Sequence, residues 1–447
     1  MRYLVGLMCA VALTVLGCGE SVCAAACGDG GLIVNLRPAV EVAYDVELDL
    51  DGVPGGFTCE RSEVAGWAPT NQTGSAEAVS MCDGYDFTVA DTPDAAQISI
   101  RTEDGRLEGS LSVTPAYAPA GPQCTWPCPL GAVVTVQVAE PEGEVFRCTE
   151  QGIRDAIADG GGRHTFDCDG PTTVVTAAEI GIDTDVILDG EGRLKVDGNL
   201  EHSVFSVAGE AVAELRGFII TRGTPGILSR GRLTLRDITV SGNRGDARGG
   251  ISSVGTLILE NTTVSGNVAT GNEDADVVGG VYGSGPTTLT NSTISGNSAT
   301  GEHAVDGLFH IRDELTLTNS TLADVLYTVG PGTVTSTATI YADECFEEWP
   351  YDEVMWVSGG YNIGCSDMFE DPSDLGAVRA DDLALGLLQD NGGPTQTHAL
   401  GAGSVAIDVI PAEDCVDADD EPLTTDQRGE PRPGGTMCDV GAFEVQP

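Results

Sequence analysis

Hydrophobic and polar residues alternate along the middle of the chain, and the alternation repeats. Residues 233–243 recur in recognisable form at 257–267 and 287–297, and a weaker fourth copy begins at Leu315. Apolar side chains occupy every second position within a copy, which predicts short β-strands and excludes a helical solenoid. The copies end in asparagines that are 24 and then 30 residues apart, a spacing typical of stacked repeats.

Each copy also carries a second strand signal after a glycine pair or a single glycine, at Ile251, Val281 and Leu308. Two or more strands per repeat in a fixed order predict the coils of a parallel β-helix, a solenoid whose neighbouring coils are hydrogen-bonded about 4.8 Å apart. The terminal asparagines should then form a structural ladder that satisfies their amides from coil to coil. These residues are Asn243, Asn267 and Asn297.

A different alternation precedes the repeats. Residues 32–140 contain short runs such as 42–50, 96–100 and 133–138, separated by Asp-Gly and Pro-Gly turns. Such spacing predicts a small antiparallel β-sandwich. The expected organisation is therefore all-β, with a sandwich over 32–140, a parallel β-helix over 141–345 and the end of that helix with its cap over 346–447.

The first residues indicate export. Arg2 precedes an uncharged apolar run at 3–17, too short for a convincing membrane span. The run ends in Val15-Leu16-Gly17-Cys18, which resembles a bacterial lipobox. This predicts a signal peptide over 1–17, lipidation of Cys18, a tether over 18–31 and a surface-exposed place on the outer membrane. The alternative is ordinary cleavage after Ala26, which discards Cys18.

Composition narrows the choice of partners. The chain has 69 acidic and 21 basic residues, a formal net charge of −48. Nucleic acid and anionic headgroups bind through clustered Lys and Arg, so both are excluded as partners. Any contact with a membrane is expected through the lipid alone.

Cysteine spacing agrees with an oxidising compartment. Of 14 cysteines, Cys9 falls in the signal and Cys18 carries the lipid, which leaves twelve in sequence-local pairs. Zinc would need a second Cys or His pair at short spacing, so disulfides are preferred. The expected pairs are Cys23 with Cys27, Cys59 with Cys82, Cys124 with Cys128, Cys148 with Cys168, Cys345 with Cys365, and Cys415 with Cys438.

Two segments carry a family resemblance. The first runs from Cys148-Thr-Glu150 to Cys168-Asp-Gly170, and the second comprises Asn391-Gly-Gly-Pro-Thr-Gln-Thr-His398, Gly403-Ser404-Val-Ala-Ile-Asp408, Asp426-Gln-Arg428-Gly-Glu-Pro-Arg432 and Cys438-Asp439-Val-Gly-Ala-Phe443-Glu444. Together they resemble choice-of-anchor Q domain proteins, which are surface or secreted bacterial right-handed β-helix proteins generally without assigned activity. Val405 and the pair Val409-Ile410 depart from the family pattern. The resemblance spans roughly residues 148–444.

Both ends of the predicted β-helix have the features of caps. Ile153, Ala156 and Ile157 are spaced i, i+3, i+4, which predicts a short amphipathic helix across the first coil. The pair Cys148 and Cys168 would pin that helix. At the other end, turn-rich sequence and the pair Cys415 and Cys438 are expected to close the last coil and block edge-to-edge association.

The closing segment also invites a catalytic interpretation, because five titratable residues lie within it: His398, Asp408, Asp426, Arg428 and Asp439. Asp in turns routinely bonds the backbone, and Asp426 with Arg428 suits an internal ion pair. A structural role is preferred, and no catalytic residue is assigned.

The variable loops between copies form a more promising surface. Aligning the copies places Asp246, Asp276 and His303 in equivalent positions. The predicted ligand-binding residues are Arg244, Asp246, Arg248, Glu273, Asp274 and Asp276, with Asp306 close by. Carboxylates at this spacing suit calcium, held by Asp246, Asp274 and Asp276, as the one cofactor considered. The alternative is a solvated acidic rim.

Two function classes follow. The preferred one is a monomeric, non-catalytic envelope protein that binds an extracellular glycan or a surface protein, or serves as a structural surface protein. The alternative is a polysaccharide lyase or glycoside hydrolase, in which Arg244 or Arg248 beside Asp246 and Asp276 would supply a lyase base. The sequence offers no evident aromatic row for sugar stacking, so binding is preferred over catalysis.

Overall fold

The chain divides into two compact units, one on each side of the bond between Pro141 and Glu142. In this computed structural model the first unit is described over its nine strands, and the second over 142–447 except 272–275, 302, 348–353, 366–367, 369–370 and 418–421. The described residues are nearly all β, with two short α-helices. The expected all-β class is confirmed.

The described strands of the first unit form two sheets. Its strands are β1 (Leu32–Arg37), β2 (Tyr44–Leu50), β3 (Val53–Ser62), β4 (Gly66–Gly74), β5 (Val79–Cys82), β6 (Asp86–Val89), β7 (Ala96–Thr102), β8 (Glu108–Val113) and β9 (Ala132–Gln137). One sheet has the order β4-β3-β2-β7-β8 and is antiparallel throughout. The other has the order β5-β6-β1-β9, and here β1 pairs with β9 in parallel. Two parallel strands must be joined by a long crossover, and β1 and β9 are the first and the last strand of the unit in sequence.

Strict alternation gives the five-stranded sheet one buried face. Val46 and Leu48 of β2 are buried, and so are their partners Ile100 and Ile98 on β7. The residues between them on β2 point to the opposite, more exposed face. This is the period-two pattern that the sequence predicts for these strands.

The second unit begins with β10 (Glu142–Arg147) and α1 (Glu150–Asp159). There follow β11 (Gly161–Asp167), β12 (Thr172–Val175), β13 (Ile180–Ile182), β14 (Val186–Asp197), β15 (Phe205–Val207), β16 (Val212–Thr221), β17 (Ile227–Ser229), β18 (Arg232–Arg236), β19 (Thr239–Ser241), β20 (Arg244–Gly245), β21 (Ile251–Ser253), β22 (Leu257–Glu260), β23 (Thr263–Ser265) and β24 (Val268–Thr270).

The chain continues with β25 (Asp276–Val278), β26 (Val281–Gly283), β27 (Thr287–Thr290), β28 (Thr293–Ser295), β29 (Ser298–Thr300), β30 (His303–Val305), β31 (Leu308–Thr318), β32 (Thr321–Leu322), β33 (Leu326–Thr337), β34 (Ile340–Tyr341), β35 (Cys345–Glu347) and β36 (Met355–Gly360). The last elements are α2 (Ala380–Leu383), β37 (Leu385–Gln389), β38 (Thr397–Leu400), β39 (Ile410–Pro411), a 3₁₀ turn (Ala412–Asp414) and β40 (Met437–Cys438).

Twenty-two of these strands form one parallel sheet made of three ladders. Ladder I joins β13-β15-β17-β21-β26-β31-β33-β35. Ladder II joins β10-β11-β14-β16-β18-β22-β27-β31-β33-β36. Ladder III joins β12-β14-β16-β19-β23-β28-β32-β34. Each repeat therefore contributes to every ladder.

Matching residues of the repeats stack in register. Leu235 pairs with Leu259, Leu259 with Leu289, and Leu289 with Leu317, and all four are fully buried. Leu and Val at these inward positions build one continuous apolar core along the sheet. Burying each such side chain contributes about 1.5–3 kcal/mol relative to leaving it in water.

The predicted helix forms at the start of this sheet. Thr149 is its N-cap, and its Oγ1 accepts a hydrogen bond of 3.1 Å from the Gly152 amide. Ile153, Ala156 and Ile157 are buried and belong to the same core as the ladders. The i, i+3, i+4 spacing thus places one apolar stripe against the first strands.

Three of the expected cysteine pairs are disulfide-bonded: Cys148 with Cys168, Cys345 with Cys365, and Cys415 with Cys438. Cys59 is also disulfide-bonded. The side chain of Cys82 and the residues Cys18, Cys23, Cys27, Cys124 and Cys128 lie outside the described part of the chain.

The closing segment runs beside the sheet and also packs on its last strands, where Ile410 and Val440 share an apolar cluster with Ile340 of β34. Residues 395–417 and 422–442, here called the strap, contact strands and turns that lie more than 100 residues earlier. Thr395 donates to Asn261 O at 3.0 Å, Gln427 accepts from Thr293 Oγ1 at 2.6 Å, and Arg432 donates to Asn319 Oδ1 at 2.7 Å. Turn polar groups of three successive repeats are satisfied in this way.

Candidate functional site

Two of the predicted ligand-binding residues, Arg244 and Asp276, lie on short strands beside the main sheet. Strands β20, β24 and β29 form a three-stranded parallel sheet, and β25 pairs with β30. Asp276 is opposite His303 in the register, as the repeat alignment predicts. Arg248 bridges to Val278, which extends the same alignment toward Asp246.

We define the flank as Arg244, Asp246, Arg248, Asp276 and His303. Arg244, Asp246 and His303 are exposed, while Arg248 and Asp276 are half-buried. For the side chains of Arg244, Asp246 and His303, no hydrogen bond or ion pair to another described residue is present. The flank therefore presents exposed groups that are available to a ligand, and within it Asp276 and His303 lie on neighbouring parallel strands.

Arg248 is already engaged. Its Nη1 donates to the carbonyl oxygen of Ala247 at 3.1 Å and to that of Asp276, and its guanidinium lies 3.8 Å from the ring centroid of Tyr282. A guanidinium that links two backbone carbonyls and covers an aromatic face is held in place as a donor. This arrangement argues against Arg248 as a lyase base.

The calcium prediction rests on residues that are described only in part. Glu273 and Asp274 lie in the segment 272–275, outside the described residues. Among the side chains that the structure does place, no three of the types His, Cys, Asp and Glu are grouped to hold a metal ion. Asp306 uses one carboxylate oxygen to accept from the Ala299 amide at 2.6 Å. Calcium binding remains a prediction.

A column of aromatic rings stands next to the flank on ladder I. Tyr282, Phe309, Tyr327 and Phe346 occupy one register position on four successive strands. Their centroids are 5.9, 5.5 and 6.2 Å apart, and the first two pairs are stacked at 10°. This row corrects the expectation that the chain has no aromatic row. Its signal is an aromatic directly after the inward-facing residue that begins each strand segment, which is Val281, Leu308, Leu326 or Cys345.

The predicted asparagine ladder is present as a buried chain of hydrogen bonds. Asn243 Nδ2 donates to Asn267 Oδ1 at 2.9 Å, and Asn267 Nδ2 donates to Asn297 Oδ1 at 2.9 Å. The chain ends on a carboxylate, because Asn297 Nδ2 donates to Asp324 Oδ2 at 2.9 Å. Burial raises the pKa of Asp324, and the donors from Asn297 and Gly296 oppose that shift.

Asp426, Arg428 and Asp439 of the closing segment have structural partners. Arg428 Nη2 lies 2.7 Å from Asp426 Oδ2, and its guanidinium covers the Phe443 ring at 3.7 Å. Asp439 accepts from the amides of Asp408 and Val445, each at 2.7 Å. The internal ion pair expected from Asp426-Gln-Arg428 is present.

His398 is the closest approach to a catalytic geometry. Its Nδ1 lies 2.7 Å from Gly386 O, and its Nε2 lies 2.8 Å from Ser295 Oγ. A carbonyl can only accept, so Nδ1 carries the proton and Nε2 accepts from the serine hydroxyl. Burial lowers the pKa of His398, which favours this neutral ring. Both residues are buried, and the pair locks the strap to β28.

No family model, no curated protein and no solved structure matches this chain. Among the described residues, no helix has the length and apolar character needed to cross a membrane.

Proposed function

We propose that this chain is a bacterial envelope protein that binds an extended extracellular glycan along its flank without cleaving it. The observation that carries the proposal is the set of exposed residues Arg244, Asp246 and His303 on or next to the short parallel strands beside the main sheet. Repeated groups at coil spacing suit a ligand that is itself a repeating chain.

We also propose that the three ladders are the faces of a right-handed parallel β-helix. Each repeat contributes one strand segment to each ladder, and matching residues pair between consecutive repeats, which supports this interpretation. Parallel strands need crossover connections, and successive turns of a solenoid supply them.

The proposal that the chain does not cleave the glycan is supported by the contacts that several of its charged groups already make. Arg248 is held by two backbone carbonyls and by Tyr282, and the carboxylates of Asp426 and Asp439 are occupied by Arg428 and backbone amides. A lyase needs a base that is free to take a proton, and of the two arginines considered for that role Arg248 is engaged while Arg244 is exposed. The engagement of Arg248, Asp426 and Asp439 supports binding over catalysis.

A glycan array probed with the full chain tests the flank. We expect the triple variant Arg244→Ala, Asp246→Asn, His303→Ala to lose binding to the array hits by at least about tenfold, since three exposed contacts are removed. The matched control is the surface pair Asp183→Asn, Arg193→Ala, which should bind as the parent does.

The same experiment tests whether calcium is bound and whether the glycan is cleaved. If calcium joins Asp246, Asp274 and Asp276, chelation should lower both the melting temperature and glycan binding, because an ion bound only to the folded state stabilises it. Equal binding by the triple variant and the parent would refute the flank. Unsaturated products that disappear in Arg248→Ala would establish a lyase instead.

We also propose that Cys18 is lipidated and anchors the chain to the outer membrane. The lipobox-like end of the apolar run and the resemblance to choice-of-anchor Q domain proteins support this. In a lipoprotein-competent host, Cys18→Ser should abolish palmitate labelling and release the protein from the membrane fraction, because acyl chains provide the attachment. Cys9→Ser, within the signal, should leave labelling intact. Labelling that persists in Cys18→Ser would contradict the anchor.

A further inference from the structure

The aromatic column ends at a cavity. Every ring but the last is covered on both faces: Tyr282 lies between Arg248 and Phe309, and the next two rings lie between their neighbours. Phe346, the last ring, is 41% exposed and lines a cavity of about 540 Å³. A volume of that order holds a small organic molecule.

The walls of this cavity are mostly apolar. Tyr341, Met368, Leu383 and Leu385 line it together with Phe346, and the disulfide between Cys345 and Cys365 borders it. The Tyr341 hydroxyl is turned to Ser336 Oγ at 2.7 Å. Such walls offer few partners to the many hydroxyls of a sugar, whose burial would be costly. They suit a ligand with an apolar, planar body.

The charge of the cavity is negative. Asp343 and Glu344 line it and are exposed, and the described lining residues include no Lys, Arg or His. The Asp343 carboxylate also accepts from the Glu344 amide at 2.8 Å, which fixes its orientation. A cation is attracted both by these carboxylates and by the face of an aromatic ring, whereas an anion is repelled.

We propose that this cavity binds an aromatic amine. The ligand ring stacks on the free side of Phe346 and extends the column of Tyr282, Phe309, Tyr327 and Phe346 by one ring. The ammonium group lies at the mouth, where Asp343 and Glu344 accept its hydrogen bonds. The site is separate from the flank and does not depend on glycan binding.

Calorimetric titration of the full chain with phenethylamine tests the proposal. Phenylethanol and phenylpropionate serve as the neutral and anionic analogues of similar shape. We expect the amine to bind more tightly than the alcohol and the alcohol more tightly than the acid. Equal affinities for amine and acid, or no binding of the amine at solubility-limited concentrations, would overturn the proposal.

Two sets of variants separate the ring from the charges. Phe346→Leu keeps an apolar side chain but removes the aromatic face, and it should weaken amine binding roughly three- to tenfold. Asp343→Asn with Glu344→Gln should abolish the preference for amine over alcohol and leave alcohol binding unchanged. An undiminished preference in that double variant would refute the charge assignment.

The flank variants provide the control for independence. Arg244→Ala and His303→Ala should leave phenethylamine binding at the parent value, and Phe346→Leu should leave glycan binding unchanged. Melting temperatures of all variants, measured in parallel, show whether each is folded. A folded Phe346→Leu protein with parent affinity for the amine would show that the column plays no part in binding.

Discussion

Replacing Arg432 by methionine is expected to destabilise the second unit by about 3–5 kcal/mol. The Arg432 side chain is fully buried and lies 3.2 Å from Glu444 in an ion pair. It also donates to Asn319 Oδ1 and to Gly441 O, each at 2.7 Å. Methionine fills similar volume but leaves the Glu444 carboxylate buried without its counter-charge, which is costly in a low-dielectric interior.

Urea unfolding followed by circular dichroism measures this effect. Because burial already raises the pKa of Glu444 and Arg432 opposes that shift, the charge of Glu444 depends on its partner. Adding Glu444→Gln to Arg432→Met should therefore recover part of the lost stability. Arg193→Met, at an exposed arginine, should change stability by no more than about 0.5 kcal/mol. A loss below about 1 kcal/mol for Arg432→Met would contradict the buried ion pair.

Arg432→Lys separates charge from geometry. Lysine keeps the positive charge but lacks the planar fork that reaches Asn319 and Gly441 at once. Its stability should fall between those of the parent and Arg432→Met. The Arg432 side chain thus connects the strap to the repeats by hydrogen bonds as well as forming an ion pair.

The sequence predicts the parts of this fold that repeat. Equal spacing and period-two alternation align Leu235 with Leu259 and Asn243 with Asn267, and the structure pairs these residues as aligned. The disulfide between Cys148 and Cys168 could also be predicted from the sequence, because the two positions flank one helix. Local patterns suffice wherever a contact is fixed by the register of neighbouring repeats.

Contacts between segments that share no sequence pattern could not be predicted from the sequence. Gln427 and Thr293 are 134 residues apart, and nothing in either sequence indicates the other. The aromatic column could not be predicted for a related reason, because loops of different length precede its strands and Tyr282, Phe309 and Phe346 therefore show no fixed period. The commitment of Arg248 to backbone carbonyls likewise depends on tertiary geometry, which a list of charges does not contain.

The asparagine ladder illustrates what the predictable part contributes to stability. Asn267 is fully buried and makes four hydrogen bonds through its side chain. Oδ1 accepts from the amide and from Nδ2 of Asn243, while Nδ2 donates to Val240 O and to Asn297 Oδ1. Each bond joins two consecutive repeats, so the side chain fixes the register of three copies.

Asn267→Ala is expected to destabilise the second unit by about 3 kcal/mol or more. The substitution removes the acceptor of two buried donors, the Asn243 backbone amide and its Nδ2 group, and each unsatisfied group costs about 1–3 kcal/mol. Thr270→Ala, three residues further along at an exposed position, is the matched control and should change stability by about 0.5 kcal/mol at most. Urea unfolding of both variants provides the comparison. Equal stability of the two would mean that the apolar core alone fixes the register, and that the ladder only follows it.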